Sequence, residues 1–328
     1  MLLRLALLGV GAVAMLGGSA AAQTPTDNYT HETAPPIDGH TQTDSMPIRS
    51  DATERMTVAV KLGNSGPYRF LVDTGSERTS ISSQLARRLQ LKPGPSVRMH
   101  SIVGVGAIQT AIIPQLMFSQ NAIGSIEAPV LESANMGADG MLGVDSLKSQ
   151  RISFDFKANT MSLTPSSQRA ESLGDGTIVV RARRREGRLV VTKATADSRP
   201  LTVVLDTGSQ VTIGNPALRH ALLGRRMLGE ANEVVIESVT GATMGGSYMM
   251  LKELTIGGVV LNNLAIVFAD AHTFKQLGLD KRPALLLGMN AMRAFDRMSI
   301  DFANKRLRVL LPKESRADNV EVASRTLR

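Results

Sequence analysis

The sequence predicts a mostly β protein made of two similar lobes, related by pseudo-two-fold symmetry with a cleft between them. Three observations predict it: a series of motifs that runs through the chain twice in the same order, short runs of apolar alternation bounded by turn residues, and enough length to give each half its own core. The 328 residues suggest about two domains, and 43% hydrophobic with 20% charged residues is a globular rather than a disordered balance.

The first pass begins with Met56, Val58 and Val60 alternating as a strand, turns through Gly63-Asn64-Ser65-Gly66-Pro67 and returns as Tyr68 to Val72 into Asp73-Thr74-Gly75-Ser76. The second begins with Leu189-Val190-Val191, turns near Asp197 to Pro200 and returns as Leu201 to Leu205 into Asp206-Thr207-Gly208-Ser209. A short helical stretch follows in each half, Ser82 to Leu91 and Pro216 to Leu223. Then come Gly-rich hairpins, where Ser101-Ile102-Val103-Gly104-Val105-Gly106 matches Ser238-Val239-Thr240-Gly241-Ala242-Thr243. After a further apolar strand, Gly140-Met141-Leu142-Gly143 corresponds to Leu286-Leu287-Gly288, each followed by a short helix, Asp145 to Ser149 and Asn290 to Ala294. Closing hairpins run from Ile152-Ser153-Phe154-Asp155-Phe156 to Leu163 and from Met298-Ser299-Ile300-Asp301-Phe302 to Leu311. One four-residue match is within the reach of chance, whereas an ordered series over two halves is evidence of duplication.

The ends read differently. Arg4, the apolar run Leu5 to Leu16 and Ala20-Ala21-Ala22 before Gln23 make residues 1–22 an expected secretory signal peptide. Gly9, Gly11, Gly17 and Gly18 break the run, which argues against a retained membrane anchor. Residues 23–54 are rich in Thr, Pro, Asp and Ser without an apolar period, an expected disordered arm or propeptide. The lobes are then expected at 55–164 and 177–312, joined by a linker at 165–176 and followed by a flexible tail at 313–328. The absence of cysteine removes disulfides, thiolate zinc sites and a cysteine nucleophile. Export without disulfides fits a bacterial periplasm.

A buried strand that runs into Asp-Thr-Gly puts a carboxylate at the strand end, where Gly permits a sharp turn and close approach of another backbone. Two such carboxylates facing each other cannot both ionise readily, so the pair holds one proton over a wide pH range. The ionised partner can take a proton from water while the protonated one donates to a carbonyl oxygen, with no metal or cofactor required. The two tetrads, each completed by an apolar-apolar-Gly element at Met141-Leu142-Gly143 and Leu286-Leu287-Gly288, resemble the pepsin and retropepsin superfamily of aspartic proteases. The similarity covers most of residues 55 to 312 and resembles the bacterial retropepsin-like type with two tandem lobes. It implies that Asp73 and Asp206 are the catalytic dyad of an endopeptidase acting on an extended polypeptide, with Thr74 and Thr207 cross-bonded beneath. It further implies that Gly75 and Gly208 let the loops approach, and that Ser76 and Ser209 hydrogen-bond the carboxylates. Both lobes carry a Gly-rich hairpin, which is nearer the retropepsin pattern, and the implied substrate-binding flap residues are Val103, Gly104, Val105, Gly106, Thr240, Gly241 and Ala242. The Arg that follows the Gly in many viral enzymes is here Val144 and Met289, and a covalent linker makes that brace less necessary, so the chain is expected to act as a monomer.

Other features carry blander readings. The formal charge is +8, and Arg181, Arg183, Arg184, Arg185 and Arg188 form a basic cluster, read first as a solvated hairpin and second as a contact for an anionic membrane surface. No Trp and three Tyr leave nothing to stack bases, so nucleic acid is not an expected partner. His31, His40, His100, His220 and His272 are scattered without metal-ligand spacing, Gly104-Val105-Gly106 lacks the context of a nucleotide loop, and most of the sixteen Met read as core filler. A non-catalytic peptide-binding or regulatory module, and half-sites completed by a second chain, remain the alternatives at this point.

Overall fold

The computed structural model describes residues 56–118, 121–223 and 231–313, together with the backbone of the strand residues 3–4, 44–47 and 49–50. The expected signal segment lies outside them apart from Leu3–Arg4, whose backbone runs parallel to Val234–Val235, and the expected tail lies outside beyond Lys313.

Each lobe is a curled sheet whose strands follow the alternation in the sequence. In Met56–Leu62 the side chains of Met56, Val58, Val60 and Leu62 are buried while Ala59 and Lys61 face out, and its antiparallel partner Ser65–Val72 ends in the fully buried run Phe70-Leu71-Val72. A strand buried on both faces needs a neighbour on each side. Gly140–Leu142 supplies one, pairing parallel with Phe70–Val72, and Ala284–Leu287 does the same for Thr202–Leu205 in the second lobe. The amides of Asp73 and Asp206 close these ladders on Leu142 O at 3.0 Å and Leu287 O at 3.1 Å, so each carboxylate-bearing residue is fixed where the parallel pair ends.

Helices are short, as expected for this fold class. Ser83–Arg88 is capped by the Ser82 hydroxyl, which accepts from Leu85 N at 3.1 Å, and Pro216–Leu223 starts at a proline that needs no donor. The helices after the apolar-Gly elements are Val144–Leu147 and Met289–Met292. Two further helices, Ser133–Met136 and His272–Gln276, lie where the sequence reading continued directly from an apolar strand to the next Gly element.

A six-stranded sheet joins the lobes, in the order Ile178–Arg181, Arg306–Leu310, Arg297–Asp301, Gln150–Asp155, Thr160–Pro165 and Asp44–Pro47. At its centre Ser153 pairs with its own counterpart Ser299, Ile152 with Ile300 and Phe154 with Met298. One residue pairing with its own equivalent, with the neighbours exchanged symmetrically on either side, marks the pseudo-two-fold axis. Around it the charges repeat as well: Arg151 Nε lies 3.3 Å from Asp301, and Arg297 Nε lies 2.7 Å from Asp155. Buried residues of both lobes, among them Phe70, Phe154, Ile300 and Phe302, form one continuous core across this joint.

One expectation is corrected here. Residues 44–47 and 49–50, assigned by composition to a disordered arm, are strands: Asp44–Pro47 pairs with Thr160–Leu163 and Arg49–Ser50 with Met56–Thr57. Asp44–Pro47 is the first-lobe counterpart of Ile178–Arg181, which pairs with Arg306–Val309, and Arg49–Ser50 is the counterpart of Arg183–Arg185, so strands paired with the first lobe precede residue 55. An edge strand held by main-chain bonds shows no apolar period to read. A chain that starts after residue 50 is therefore expected to lose about 1–3 kcal/mol of stability relative to one that starts at residue 41, a difference readable as a lower urea midpoint.

Candidate functional site

The structure brings the two tetrads face to face. Asp73 and Asp206 are 9% and 8% exposed at the floor of a cleft lined by both lobes. Each carboxylate is oriented by its own loop: Asp73 Oδ1 accepts from Gly75 N at 2.8 Å and Ser76 N at 3.0 Å, and Asp206 Oδ1 from Gly208 N at 3.1 Å and Ser209 N at 3.2 Å. The glycines are required by approach rather than by φ, since a Cβ on Gly75 or Gly208 would sit under 3.0 Å from the opposite carboxylate.

Beneath the pair, the threonines cross. Thr74 N donates to Thr207 Oγ1 and Thr207 N to Thr74 Oγ1, both at 3.0 Å. Each hydroxyl in turn donates into the other lobe, Thr74 to Leu205 O at 3.1 Å and Thr207 to Val72 O at 2.7 Å. All four bonds are buried, so the arrangement satisfies every polar group it desolvates.

Burial, and then the neighbouring charge of Asp73, push the Asp206 carboxyl from 3.8 up to about 7, while Arg188 and the Gly208 and Ser209 amides pull the other way. The pair thus binds its last proton tightly up to near-neutral pH.

The serine hydroxyls depart from what the resemblance implied. Ser76 Oγ donates to Arg78 O at 3.0 Å and Ser209 Oγ to Val211 O at 2.7 Å, so each spends its single proton on the loop backbone and the carboxylates receive the serine amides instead.

Arg188 is a second correction. Grouped with a solvated basic hairpin, it is only 4% exposed and reaches across the lobe boundary, donating from Nε to Gly75 O at 2.6 Å and from Nη1 to Glu77 Oε1 at 3.0 Å. Arg181, Arg183, Arg184 and Arg185 do lie on the surface. A signal was present: Arg188 precedes Asp206 by the same number of residues as Arg55 precedes Asp73. The side chain of Arg55 lies outside the described residues.

Thr79 and Thr212 were also missed, although they too stand at matching distances after the two Asp residues. Thr79 Oγ1 bonds Asp145 Oδ1 at 2.7 Å and accepts from Gly143 N, while Thr212 Oγ1 bonds Asn290 Oδ1 at 2.8 Å and accepts from Gly288 N. These bonds pin the apolar-Gly elements against the tetrad loops. A Cβ on Gly143 or Gly288 would collide with the backbone of Arg78 or Val211, which explains the glycines.

Both Gly-rich hairpins cross to the opposite lobe. Ile102 packs against the second-lobe cluster with Val211, Met244 and Tyr248, and Val239 against the first-lobe cluster of Leu71, Leu131, Met136 and Met141. From the two hairpins, Val97 to Ile102 and Glu237 to Val239 line the cleft. Of the expected flap residues, Val103, Gly104, Val105, Gly106, Thr240, Gly241 and Ala242 lie at or beyond the turns and do not line it. Gly104 and Gly106 face open space, and Gly241 abuts Asn135. Within each turn it is Ile102 or Val239 whose side chain enters the partner lobe. Among the described residues no group of three or more His, Asp or Glu side chains is placed to hold a metal.

The crossed threonines can be tested directly. Replacing Thr74 by Val keeps the shape but strands Thr207 N and Leu205 O in the interior, an expected loss of about 2–4 kcal/mol in chemical denaturation. Replacing it by Ser keeps both bonds, and the expected loss is below about 1 kcal/mol.

Two family models match the chain in tandem. Residues 58–149 match the model described as "gag-polyprotein putative aspartyl protease", and residues 192–291 match one described as "Aspartyl protease". Among curated proteins, none matches. The matches fall on the two lobes, and each contains one of the facing tetrads. The chain belongs to the retropepsin-like aspartyl proteases of the pepsin superfamily, with two lobes in a single polypeptide.

Proposed function

We propose that this protein is an exported aspartic endopeptidase in which Asp73 and Asp206 together activate one water for peptide hydrolysis. The observation that carries the reading is the pair itself: two buried carboxylates held against each other by crossed hydrogen bonds, one of them raised to about 7. A purely structural fold has no use for that electrostatic strain.

In the proposed reaction the pair starts with one proton, retained by Asp206. Asp73 takes a proton from a water as its oxygen attacks the scissile carbonyl carbon, and Asp206 donates its proton to the carbonyl oxygen. A tetrahedral diol results, with Asp73 protonated and Asp206 ionised. Collapse passes the Asp73 proton to the departing amine nitrogen while a diol hydroxyl returns its proton to Asp206, which restores the starting state. An extended peptide between the two flaps fits the strand-addition mode of recognition. Export is supported by Arg4, the apolar run Leu5 to Leu16 and the small residues before Gln23, and a periplasmic location by the lack of cysteine. For a surface contact with anionic lipid, only Arg181, Arg183, Arg184 and Arg185 remain available, since Arg188 is committed to the cleft.

Two outcomes test the reading. Asp73→Asn and Asp206→Asn should each reduce cleavage of an unstructured protein by about 10³-fold or more, and a peptide mimic with a hydroxyl at the scissile position should bind the wild type and block it. Full activity in either variant would sink the shared-pair mechanism. The rate should fall as pH rises past about 7, where the last proton leaves.

Stability carries the same signature. Because the folded value lies above the unfolded one, ionising Asp206 weakens the fold, and stability declines as pH rises from 3.8 to about 7. In Asp206→Asn that decline should shrink, leaving the variant about 1–3 kcal/mol more stable than wild type at pH 8 relative to their difference at pH 4. Urea titrations at the two pH values would read it.

A further inference from the structure

His100 and His272 are 172 residues apart in the chain, yet their rings meet edge to edge, with centroids 5.2 Å apart, planes within 25° and Nδ1 of His100 2.9 Å from Nε2 of His272. They join two parts of the site. His100 ends the strand Pro93–His100 of the first flap, and His272 opens the second-lobe helix His272–Gln276. The same helix holds the flap by its backbone, since His272 N donates to Ile102 O at 2.7 Å. It also holds the floor: Gln276 Nε2 donates to Glu77 Oε1 at 2.8 Å, the oxygen that Arg188 also binds. The helix therefore clasps flap and tetrad loop together, and Ile102 O is engaged by the helix rather than free for a peptide N–H.

We propose that the His100–His272 pair is a proton-operated latch that keeps the first flap closed on the helix until both rings are protonated. The proposal rests on the reading of the cleft as a peptide-binding site, because what the latch controls is admission to it. A hydrogen bond between two imidazole nitrogens needs one bare nitrogen, so at most one of the facing atoms carries a proton. When both rings become cations the bond is lost and like charges face each other.

The surrounding charges favour the neutral pair. Desolvation lowers the His272 pKa below 6.5, and His100 and Lys275 lower it further. Lys275, on the same helix, is partly offset by Asp270 at 2.7 Å. Around the cleft stand Arg98 on the flap strand, Glu77, Arg78 and Arg188 at the floor, Glu237 on the second flap and the Asp73–Asp206 pair. A base whose pKa is lowered by closure contributes to the closed state above its ordinary value, and that contribution is lost as pH falls through the lowered one. Acid therefore opens the flap. The Gln276–Glu77 bond does not involve the histidines, so the helix keeps its hold on the floor when the flap leaves.

Hydrogen exchange of residues 97–106 in the full chain, corrected for the intrinsic pH dependence of exchange, reads the latch without any need for turnover. Exchange of the wild-type flap should rise about tenfold as pH falls from about 8 to about 5. His272→Gln and His100→Asn put an amide where the bonding nitrogen was, so each preserves a hydrogen bond that does not break on protonation, and the step should vanish in both. A flat wild-type profile would overturn the latch, as would a step of full size in either variant, which would assign the opening to the dyad. Asp206→Asn separates this claim from the peptidase reading, since the step should persist there whatever happens to cleavage.

Discussion

Two carboxylates that repel each other must be held in contact, and the architecture follows from that demand. A lone buried Asp would relax its loop or take up a proton and be done. Here the loops cannot retreat, because each Thr hydroxyl both accepts from the opposite loop and donates to the opposite strand. The repulsion is resolved by a proton rather than by movement, and the value of about 7 at Asp206 records the outcome.

The six-stranded sheet does for the lobes what the threonines do for the loops. Its central pairing, Ser153 on Ser299, sets one half against the other in a unique register, and the paired bridges Arg151–Asp301 and Arg297–Asp155 repeat on either side. A slip of one residue would turn the inward faces of Ile152 and Ile300 outward, so the register is fixed by burial as well as by charge. Both lobes are thus anchored to one shared sheet.

Much of this was legible in the sequence because duplication makes its own alignment. The tetrads, the apolar-Gly elements and the closing hairpins were found by matching one half to the other, and the structure pairs them in that correspondence. Legibility ended where a residue's role depends on the partner lobe. Arg188 looked like one of five surface arginines because nothing local marks a guanidinium that leaves its own lobe. The flap residues were placed at the glycines, but it is Ile102 and Val239, within the turns, that enter the opposite lobe. Strand Asp44–Pro47 was hidden for a different reason: an edge held by main-chain bonds leaves no pattern in its side chains. The histidines were unreadable as a pair, since only the fold brings position 100 to position 272.

Joining the halves in one chain also freed them to differ. Where the first lobe has Glu77 and Arg78 after its tetrad, the second has Gln210 and Val211, and where the first has Asp145 the second has Asn290. Glu77, which braces Arg188, therefore has the uncharged Gln210 at the equivalent place in the second lobe. A groove formed by two identical chains presents the same face to a peptide read in either direction. This one does not, so under the proposed function a bound peptide would meet unlike surroundings on its amino and carboxyl sides, and the direction in which it lies would become a property that the protein can select.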